Sequence, residues 1–304
     1  MANMNVNIAG TVLSNPLIAA SGTFGFGREY AELYPLSKLG GISCKGTTLR
    51  ERLGNPPPRI AETPSGMLNS VGLQNPGIEH FVRKDLPWMR RQGTAIIANI
   101  AGATVEDYCE AVSWLFDEPV DAVELNISCP NVKKGGAAFG SSAASAAGIT
   151  REVRARCRHP LWVKLSPNVA DIASIAQAVE AEGADAVCLI NTLTGMRIDI
   201  NTRRPILRNN TGGMSGPAVF PIAVRMVWET ARRVRIPVIG MGGISTWQDA
   251  VEMMLAGASA FQVGTAILSD PYAPLRILEG LEHYLDEHGI AQVSDLTGGV
   301  RAWE

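Results

Sequence analysis

The sequence predicts a closed parallel barrel in which eight β-strands alternate with α-helices. Eight short runs predict the strands, and almost every position in them is apolar, as strands buried on both faces must be. The runs are residues 17–20, 41–45, 95–100, 122–127, 161–165, 186–191, 237–240 and 260–264. Eight strand–helix units favour an α/β fold of the (β/α)8, or TIM, barrel type. An open, doubly wound sheet is the less favoured alternative.

Helical periodicity between the runs supports this assignment. Apolar residues recur at spacings of three and four, which places them on one face of a helix. They are Ile172, Ile175, Ala176 and Val179 in one segment, and Trp247, Ala250, Val251 and Met254 in another. Ser245 and Gln248 have the spacing of a capping box, which predicts that the second helix begins there.

Two segments depart from a minimal barrel. Residues 3–14 predict a short N-terminal hairpin that plugs the bottom of the barrel. Residues 47–76 form a long insertion after the second strand, rich in proline and glycine, and insertions of that length in a compact domain are usually functional. The composition does not change abruptly anywhere, so we expect one domain over residues 1–304.

Composition excludes several classes of protein. Of the 304 residues, 46% are hydrophobic and 18% are charged, which indicates a large core and little disorder. The net charge of −2 and the scattered basic residues do not indicate nucleic-acid binding. The sequence has neither a signal peptide at its start nor an apolar run long enough to span a membrane, so we expect a cytoplasmic protein.

The five cysteines, Cys44, Cys109, Cys129, Cys157 and Cys188, are widely spaced. They include no C-x-x-C pair, so neither a disulfide framework nor a metal or iron–sulfur site is expected from this chain. Most of them are interpreted as buried, reduced thiols.

Polar residues stand at the ends of six predicted strands. In this fold, chemistry collects at the carboxyl ends of the strands, and an apolar strand does not need a polar end for its own stability. The residues are Ser21, Lys45, Asn99, Asn126, Lys164, and Asn191 with Thr192. One asparagine alone indicates a turn or a cap, but six strand ends together predict a shared polar pocket.

Glycines end the last two strands. Gly240, Gly242 and Gly243, and Gly264 before Thr265, leave room for backbone N–H groups to approach an anion, and barrels often hold phosphate at this place. Tight turns alone are the alternative. The spacing is not that of a dinucleotide fingerprint, so a mononucleotide phosphate is favoured over NAD. A second flexible turn is expected around residues 212–216.

Cys129 follows the fourth strand on a glycine-rich loop. From its position it is a nucleophile, a general base or an inert turn residue. None of the four histidines stands at a strand end, which disfavours a Cys–His hydrolase. A thiol with an ordinary pKa of about 8.5 can still accept a proton if nearby donors stabilise its anion. The glycines predict that residues 130–140 open and close over the pocket.

Ten motifs in order resemble one family, the dihydroorotate dehydrogenases. They are ASGTFGFG, KGTTL, GNPPPR, NSVGLQNPG, NISCPNVKKGG, VKLSPN, NTLTGMRID, SGPA, GMGGI and VGTA, and they span residues 20–266. The sequence is closest to the class 1B catalytic subunits of pyrimidine synthesis. The membrane-bound class has an N-terminal anchor and a serine base, and this sequence has neither.

The resemblance implies the residues of the site. FMN would contact Ser21, Lys45, Gly46, Asn99, Asn126, Lys164, Ile190, Gly216, Gly242, Gly243, Gly264 and Thr265. The pyrimidine would contact Lys45, Asn69, Ser70, Val71, Gly72, Leu73, Asn126, Asn191 and Thr192. The catalytic residues would be Cys129, as the base, and Lys164, which would stabilise negative charge on the reduced flavin. No metal is implied.

The resemblance also implies the reaction and the assembly. (S)-Dihydroorotate would be oxidised to orotate, with the hydride passing to FMN and the proton to Cys129. Electrons would reach NAD through a partner subunit that holds FAD and a 2Fe-2S cluster, on a homodimer core within a heterotetramer. Three alternatives stay open: an isomerase or lyase that uses Lys164 as a Schiff base, a flavin enzyme for another pyrimidine, and a catalytically inactive barrel.

Overall fold

The computed structural model describes residues 2–128 and 136–303, with the side chains of residues 136 and 137 excepted. Its centre is a closed barrel of eight parallel strands that are neighbours in chain order. They are β1 (Leu17–Ala19), β2 (Gly41–Ser43), β3 (Ala95–Ile100), β4 (Ala122–Asn126), β5 (Leu161–Lys164), β6 (Ala186–Leu189), β7 (Val238–Met241) and β8 (Ala260–Val263). The predicted (β/α)8 barrel is confirmed, and the open sheet is excluded because β8 pairs with β1.

Helices surround the barrel. They are Arg28–Ala31, Ile78–His80 continuing through the π-helical turn Phe81–Asp85 into Leu86–Arg90, Val105–Ser113, Ala143–Arg154, Ile172–Ala181, Phe220–Ala231, Trp247–Leu255, Thr265–Ser269 and Ala273–Glu287. Short 3-10 turns occur at Leu36–Lys38, Gly136–Ser141, Pro217–Val219 and Val293–Leu296. In the part of the chain that the structure describes, none of the helices combines the length and apolar character needed to cross a bilayer.

The periodic apolar faces pack as predicted, but one helix start was predicted wrongly. The predicted apolar positions of Ile172–Ala181 are all buried. The helix Trp247–Leu255 is capped by Thr246, whose hydroxyl accepts from the Asp249 N–H while the Asp249 carboxylate accepts from the Thr246 N–H. The capping box is therefore Thr246 with Asp249, because a carboxylate binds the cap N–H groups more strongly than the Gln248 amide would.

The N-terminal hairpin pairs Val6–Ile8 with Thr11–Leu13 and lies at the amino ends of the strands. Ile8 and Leu13 have no exposed surface, and the Thr11 hydroxyl donates to the carbonyl of Asp121, the residue before β4. The predicted hairpin is confirmed, and it covers the bottom of the barrel.

The insertion after β2 is not an irregular loop. Its strands Ile60–Thr63 and Gly66–Asn69 form a hairpin that joins Gly212–Ser215 and Leu193–Gly195 in a four-stranded antiparallel sheet. A separate two-stranded ribbon pairs Ile198–Asp199 with Arg204–Pro205. The four-stranded sheet brings residues of the insertion and of the β6–β7 connection to the carboxyl ends of the barrel strands.

The glycines of the expected second turn therefore have another role. Gly212 and Gly213 lie in a strand, and only Gly216, with φ +99°, has a turn conformation that favours glycine. A Cβ on Gly213 would overlap the Thr192 hydroxyl. Residues 212–213 are glycines because other strands and side chains approach their backbone closely.

Candidate active site

A cavity lies at the carboxyl ends of the barrel strands; the space free of protein atoms there is about 1030 Å³, part of which is open solvent. Strand ends form its floor and sides, and residues of the four-stranded sheet, including Asn69, Met214 and Ser215, complete its wall. Its position is the one where barrels of this type carry chemistry.

The structure brings most residues of the implied FMN set into this cavity. Ser21, Lys45, Gly46, Asn126, Lys164, Ile190, Gly242, Gly243, Gly264 and Thr265 line it. Asn99 and Gly216 do not. Asn99 is buried below the cavity, and Gly216 lies behind Gly243, where it packs against Gly66.

The implied pyrimidine set is also assembled. Lys45, Asn69, Val71, Gly72, Leu73, Asn126, Asn191 and Thr192 line the cavity. Ser70 does not, because it is almost fully buried and its hydroxyl accepts a hydrogen bond from the Asn55 amide at 3.1 Å. In this structure Ser70 therefore supports the segment rather than facing the cavity.

The two residues after β7 must be glycines. Gly242 and Gly243 have φ values of +119° and +82°, which L-residues rarely adopt. A Cβ on Gly243 would lie 2.8 Å from the Gly216 carbonyl oxygen and the Phe220 nitrogen. At the end of β8, the Thr265 hydroxyl donates to Ser215 Oγ at 2.8 Å, which ties this edge of the cavity to the four-stranded sheet.

A polar layer of the barrel core lies beneath the cavity. In such barrels the interior is filled by layers of four side chains from alternate strands. Here the even-numbered strands supply Ser43, Glu124, Cys188 and Gln262, all with at most 1% of their surface exposed. The Glu124 carboxylate is the acceptor at its centre: Ser43 Oγ donates to it at 2.9 Å and Gln262 Nε2 at 2.6 Å.

Two side chains from odd-numbered strands reach the same carboxylate. The Asn99 amide donates to Glu124 Oε1, and Lys164 Nζ lies 3.9 Å from that oxygen. Lys164 Nζ also donates to Ser21 Oγ at 3.4 Å. The Lys164 cation, which lines the cavity, is thus paired with a buried anion below it.

A chain of amides and hydroxyls connects this layer with the cavity wall. Asn126 Nδ2 donates to Asn99 Oδ1 at 3.3 Å, and Asn126 Oδ1 accepts from the Ser128 hydroxyl at 2.9 Å. Asn191 Nδ2 donates in turn to Ser128 Oγ at 2.7 Å. The Glu124 carboxylate only accepts hydrogen bonds, so the Asn99 NH₂ group must face it, and the directions of the bonds further along the chain follow from that one.

The cysteines divide into two groups. Cys129 and most of its loop, residues 129–135, lie outside the described residues, and so does most of the segment expected to open and close. Burial, and then the nearby carboxylates, raise the pKa of the Cys44 and Cys188 thiols well above the usual value. Burial also raises the pKa of the Cys109 and Cys157 thiols. These four are therefore neutral thiols at pH 7.

Comparison with known proteins identifies the family. The family model for dihydroorotate dehydrogenase matches residues 3–285. The chain belongs to the dihydroorotate dehydrogenase family.

Within residues 2–128 and 136–303, no group of three or more histidine, cysteine, aspartate or glutamate side chains is arranged to hold a metal ion.

Several curated relatives resemble the chain over nearly their whole length. One from Phocaeicola vulgatus is 54% identical over 301 residues, covering 99% of each chain. Another from Alkaliphilus metalliredigens is 53% identical over 298 residues, covering 98% of this chain and 99% of its own. A third, from Anoxybacillus flavithermus, is 52% identical and covers 100% and 97%. Each is named dihydroorotate dehydrogenase B (NAD(+)), catalytic subunit.

Among the residues of the site that sequence reasoning missed are Glu124 and Gln262. Both stand inside strands rather than at strand ends, so the search for polar strand ends passed over them. A signal was present, because AVELN and AFQV each carry one long polar side chain within a fully buried strand. Such residues are almost never buried without partners.

Proposed function

We propose that the chain is the FMN-containing catalytic subunit of a class 1B dihydroorotate dehydrogenase, which oxidises (S)-dihydroorotate to orotate in de novo UMP synthesis. The observation that carries the proposal is the cavity at the carboxyl ends of the barrel. It is lined by most of the residues that the resemblance implies for flavin and pyrimidine. The names of relatives that are 52–54% identical support the same reaction.

The residues present fit a flavin mononucleotide. The cavity mixes apolar walls with a few converging polar groups, as cofactor sites do. Gly242, Gly243 and Gly264 line the cavity, and glycines at the ends of the last barrel strands allow backbone N–H groups to approach a phosphate. Gln262 Oε1 is buried and has no hydrogen-bond partner among the described residues, as expected of an acceptor that serves a bound group. FMN, when bound, supplies the hydride acceptor.

The amides around the cavity suit the pyrimidine. Asn69, Asn126 and Asn191 come from three different segments, and an amide can donate to a carboxylate or ring carbonyl and accept from a ring N–H. Lys45 adds a positive charge for the anionic substrate. The bonds from Asn126 through Ser128 to Asn191 hold two of these amides in fixed orientations, so they need little rearrangement when the ligand binds.

Proton removal falls to Cys129 in this proposal. A thiol starts neutral, so the anionic substrate does not repel it as it would repel a carboxylate, and it becomes a base when donors stabilise the thiolate. The four other cysteines are buried, and their raised thiol pKa values make them unsuitable. Lys164 presents a fixed positive charge to the cavity, which stabilises negative charge that develops during the reaction.

The wider assembly is proposed by resemblance. The words "catalytic subunit" in the relatives' names imply a separate electron-transfer subunit. We propose that this partner carries FAD and a 2Fe-2S cluster and passes electrons to NAD, and that two barrels and two partners form a heterotetramer in the cytoplasm. The chain itself is then one flavin-binding domain over residues 1–304.

One experiment tests the activity. The purified chain should be yellow, and dihydroorotate added without oxygen should remove the visible flavin absorbance. A colourless protein with flavin absent would favour the lyase or isomerase alternative, and a yellow protein that dihydroorotate does not bleach would favour another pyrimidine. NAD added to the bleached chain should restore the colour slowly unless the partner is present.

A further inference from the structure

Glu124 is a buried carboxylate directly beneath the cavity, and the mechanism proposed above does not use it. It has no exposed surface. It accepts hydrogen bonds from Ser43, Asn99 and Gln262, and Lys164 Nζ lies 3.9 Å from it. A carboxylate buried this completely is costly unless paired, and here every partner is itself a polar group on a barrel strand.

The carboxylate fixes the orientation of the Gln262 amide. A carboxylate only accepts hydrogen bonds, so the atom of Gln262 that faces it must be the NH₂ group. Gln262 Oε1 therefore points away from Glu124. It is fully buried and has no partner among the described residues, and Gln262 lines the cavity. The result is a buried acceptor, on a residue that lines the cavity, whose partner is not among the described residues.

The same carboxylate offsets the charge of Lys164. Lys164 lines the cavity, but its side chain is only 7% exposed, so solvent does little to screen its charge. The negative charge of Glu124 lies behind it. A group in the cavity that takes up electrons would meet a cation whose effect is partly cancelled, rather than an isolated one.

We propose that Glu124 is a positioning residue for the redox cofactor: its carboxylate moderates the Lys164 charge and turns Gln262 Oε1 into the cavity as an acceptor for the bound flavin. The inference rests on the proposed flavin function. It adds that the reduction potential of the flavin depends partly on Glu124, which lies beneath the cavity and does not line it.

The test is the two-electron potential of the flavin bound to Glu124→Gln. This variant keeps the size of the side chain and removes its charge. The potential should become more positive, because reduction adds negative charge that Lys164 then stabilises without opposition. We expect the protein's affinity for reduced flavin, divided by its affinity for oxidised flavin, to rise at least tenfold. For a two-electron couple this corresponds to a shift of about 30 mV.

Two variants serve as controls. Glu124→Asp keeps the charge and should retain the wild-type potential. Ser43→Ala removes one hydrogen bond to the same carboxylate, keeps the charge and lies outside the cavity lining, so it should also leave the potential unchanged. An unchanged potential in Glu124→Gln, in a protein that still binds flavin, would overturn the inference and leave Glu124 a structural residue.

A second variant tests the inference if Glu124→Gln does not bind flavin. Gln262→Met removes the cavity-facing oxygen and keeps the Glu124 charge. It should raise the flavin dissociation constant at least tenfold and shift the visible absorption bands, and wild-type affinity and spectrum would overturn the inference. The proposed function is tested separately. A yellow wild-type chain that dihydroorotate does not bleach would refute the proposed substrate and leave the potential measurements valid, whereas a wild-type chain that does not bind flavin would refute both the function and the inference.

Discussion

The two ends of the barrel are built from the same strands but treat polar groups differently. At the amino ends, Asn15 Oδ1 accepts from the N–H groups of Leu17 and Gly40, and its Nδ2 donates to the Lys38 carbonyl. Both the oxygen and the nitrogen of this side chain have hydrogen-bond partners within the protein. At the carboxyl ends, Gln262 Oε1 is buried with no partner among the described residues.

This difference between the two ends indicates that the amino ends contribute mainly to stability and the carboxyl ends mainly to function. The amino ends are closed by the hairpin 6–13, whose inward residues are fully buried. The carboxyl ends carry a cavity lined by lysines, amides and glycines, arranged around a buried carboxylate. Changes at the bottom should therefore alter stability and leave ligand binding intact, and changes at the top should do the reverse.

The largest expected effect is at Cys129, which follows β4 and Ser128 in the chain. Cys129→Ala should slow flavin reduction by dihydroorotate about 10²- to 10⁴-fold, the usual contribution of a general base, or about 3–5 kcal/mol of activation free energy. Anaerobic stopped-flow absorbance measures it. Cys129→Ser should also be slow at neutral pH, because a hydroxyl is a much weaker acid than a thiol.

A cysteine at the amino ends of the strands is the matched control. Cys157 lies before β5, at the bottom of the barrel, and is 7% exposed. Cys157→Ala should reduce flavin at the wild-type rate. If Cys129→Ala kept that rate too, the assignment of the base would be wrong.

A comparable change in free energy is expected at the bottom, but in unfolding. Leu13 has no exposed surface, and Leu13→Ala should lower the free energy of unfolding by about 2–5 kcal/mol through lost burial and a cavity. Denaturant titration measures it. Val12→Ala, on the same strand at a residue 67% exposed, should change it by less than about 0.5 kcal/mol. The FMN dissociation constant should be the same in both variants. A larger dissociation constant in Leu13→Ala would show that the amino ends of the barrel also affect ligand binding.

Most of the barrel could be predicted because its signals are local. A strand buried on both faces needs a continuous apolar run, and the run 95–100 coincides with β3. Boundaries elsewhere shifted by one or two residues, as in β6, which ends at Leu189 although the apolar pattern continues. The order of the strands around the barrel followed from the alternation of strands and helices along the chain.

The four-stranded sheet could not be predicted in this way. Asn69 pairs with Gly213, far away in the chain, and neither segment has an apolar run of its own. The glycines at 212–213 have the composition of a turn, and only the closeness of Asn69 and Thr192 shows why they lie in a strand. The site was predictable at its strand ends, but Glu124 lies within β4, where its role depends on side chains from four other strands.

Gly213→Ala tests the top of the molecule with a smaller change. The new Cβ would overlap the Thr192 hydroxyl and displace a residue that lines the cavity. We expect the orotate dissociation constant to rise about tenfold, or about 1.4 kcal/mol. Titration of the flavin absorbance with orotate measures it. Unchanged orotate binding would show that the Thr192 side chain does not contribute to the pyrimidine site.

The smallest expected effect is at a glycine that belongs to neither end. Gly148 lies within the helix Ala143–Arg154, and a Cβ there would meet no atom within 4 Å. Gly148→Ala should raise the free energy of unfolding by about 0.4–1 kcal/mol, because alanine loses less backbone entropy on folding. Orotate and FMN binding should not change. Since the substitution is chemically the same as Gly213→Ala, it separates the effect of an added methyl group from the effect of its position. Weaker orotate binding in Gly148→Ala would mean that changes in the outer helices alter the cavity. Ligand binding would then not depend on the carboxyl ends of the barrel alone.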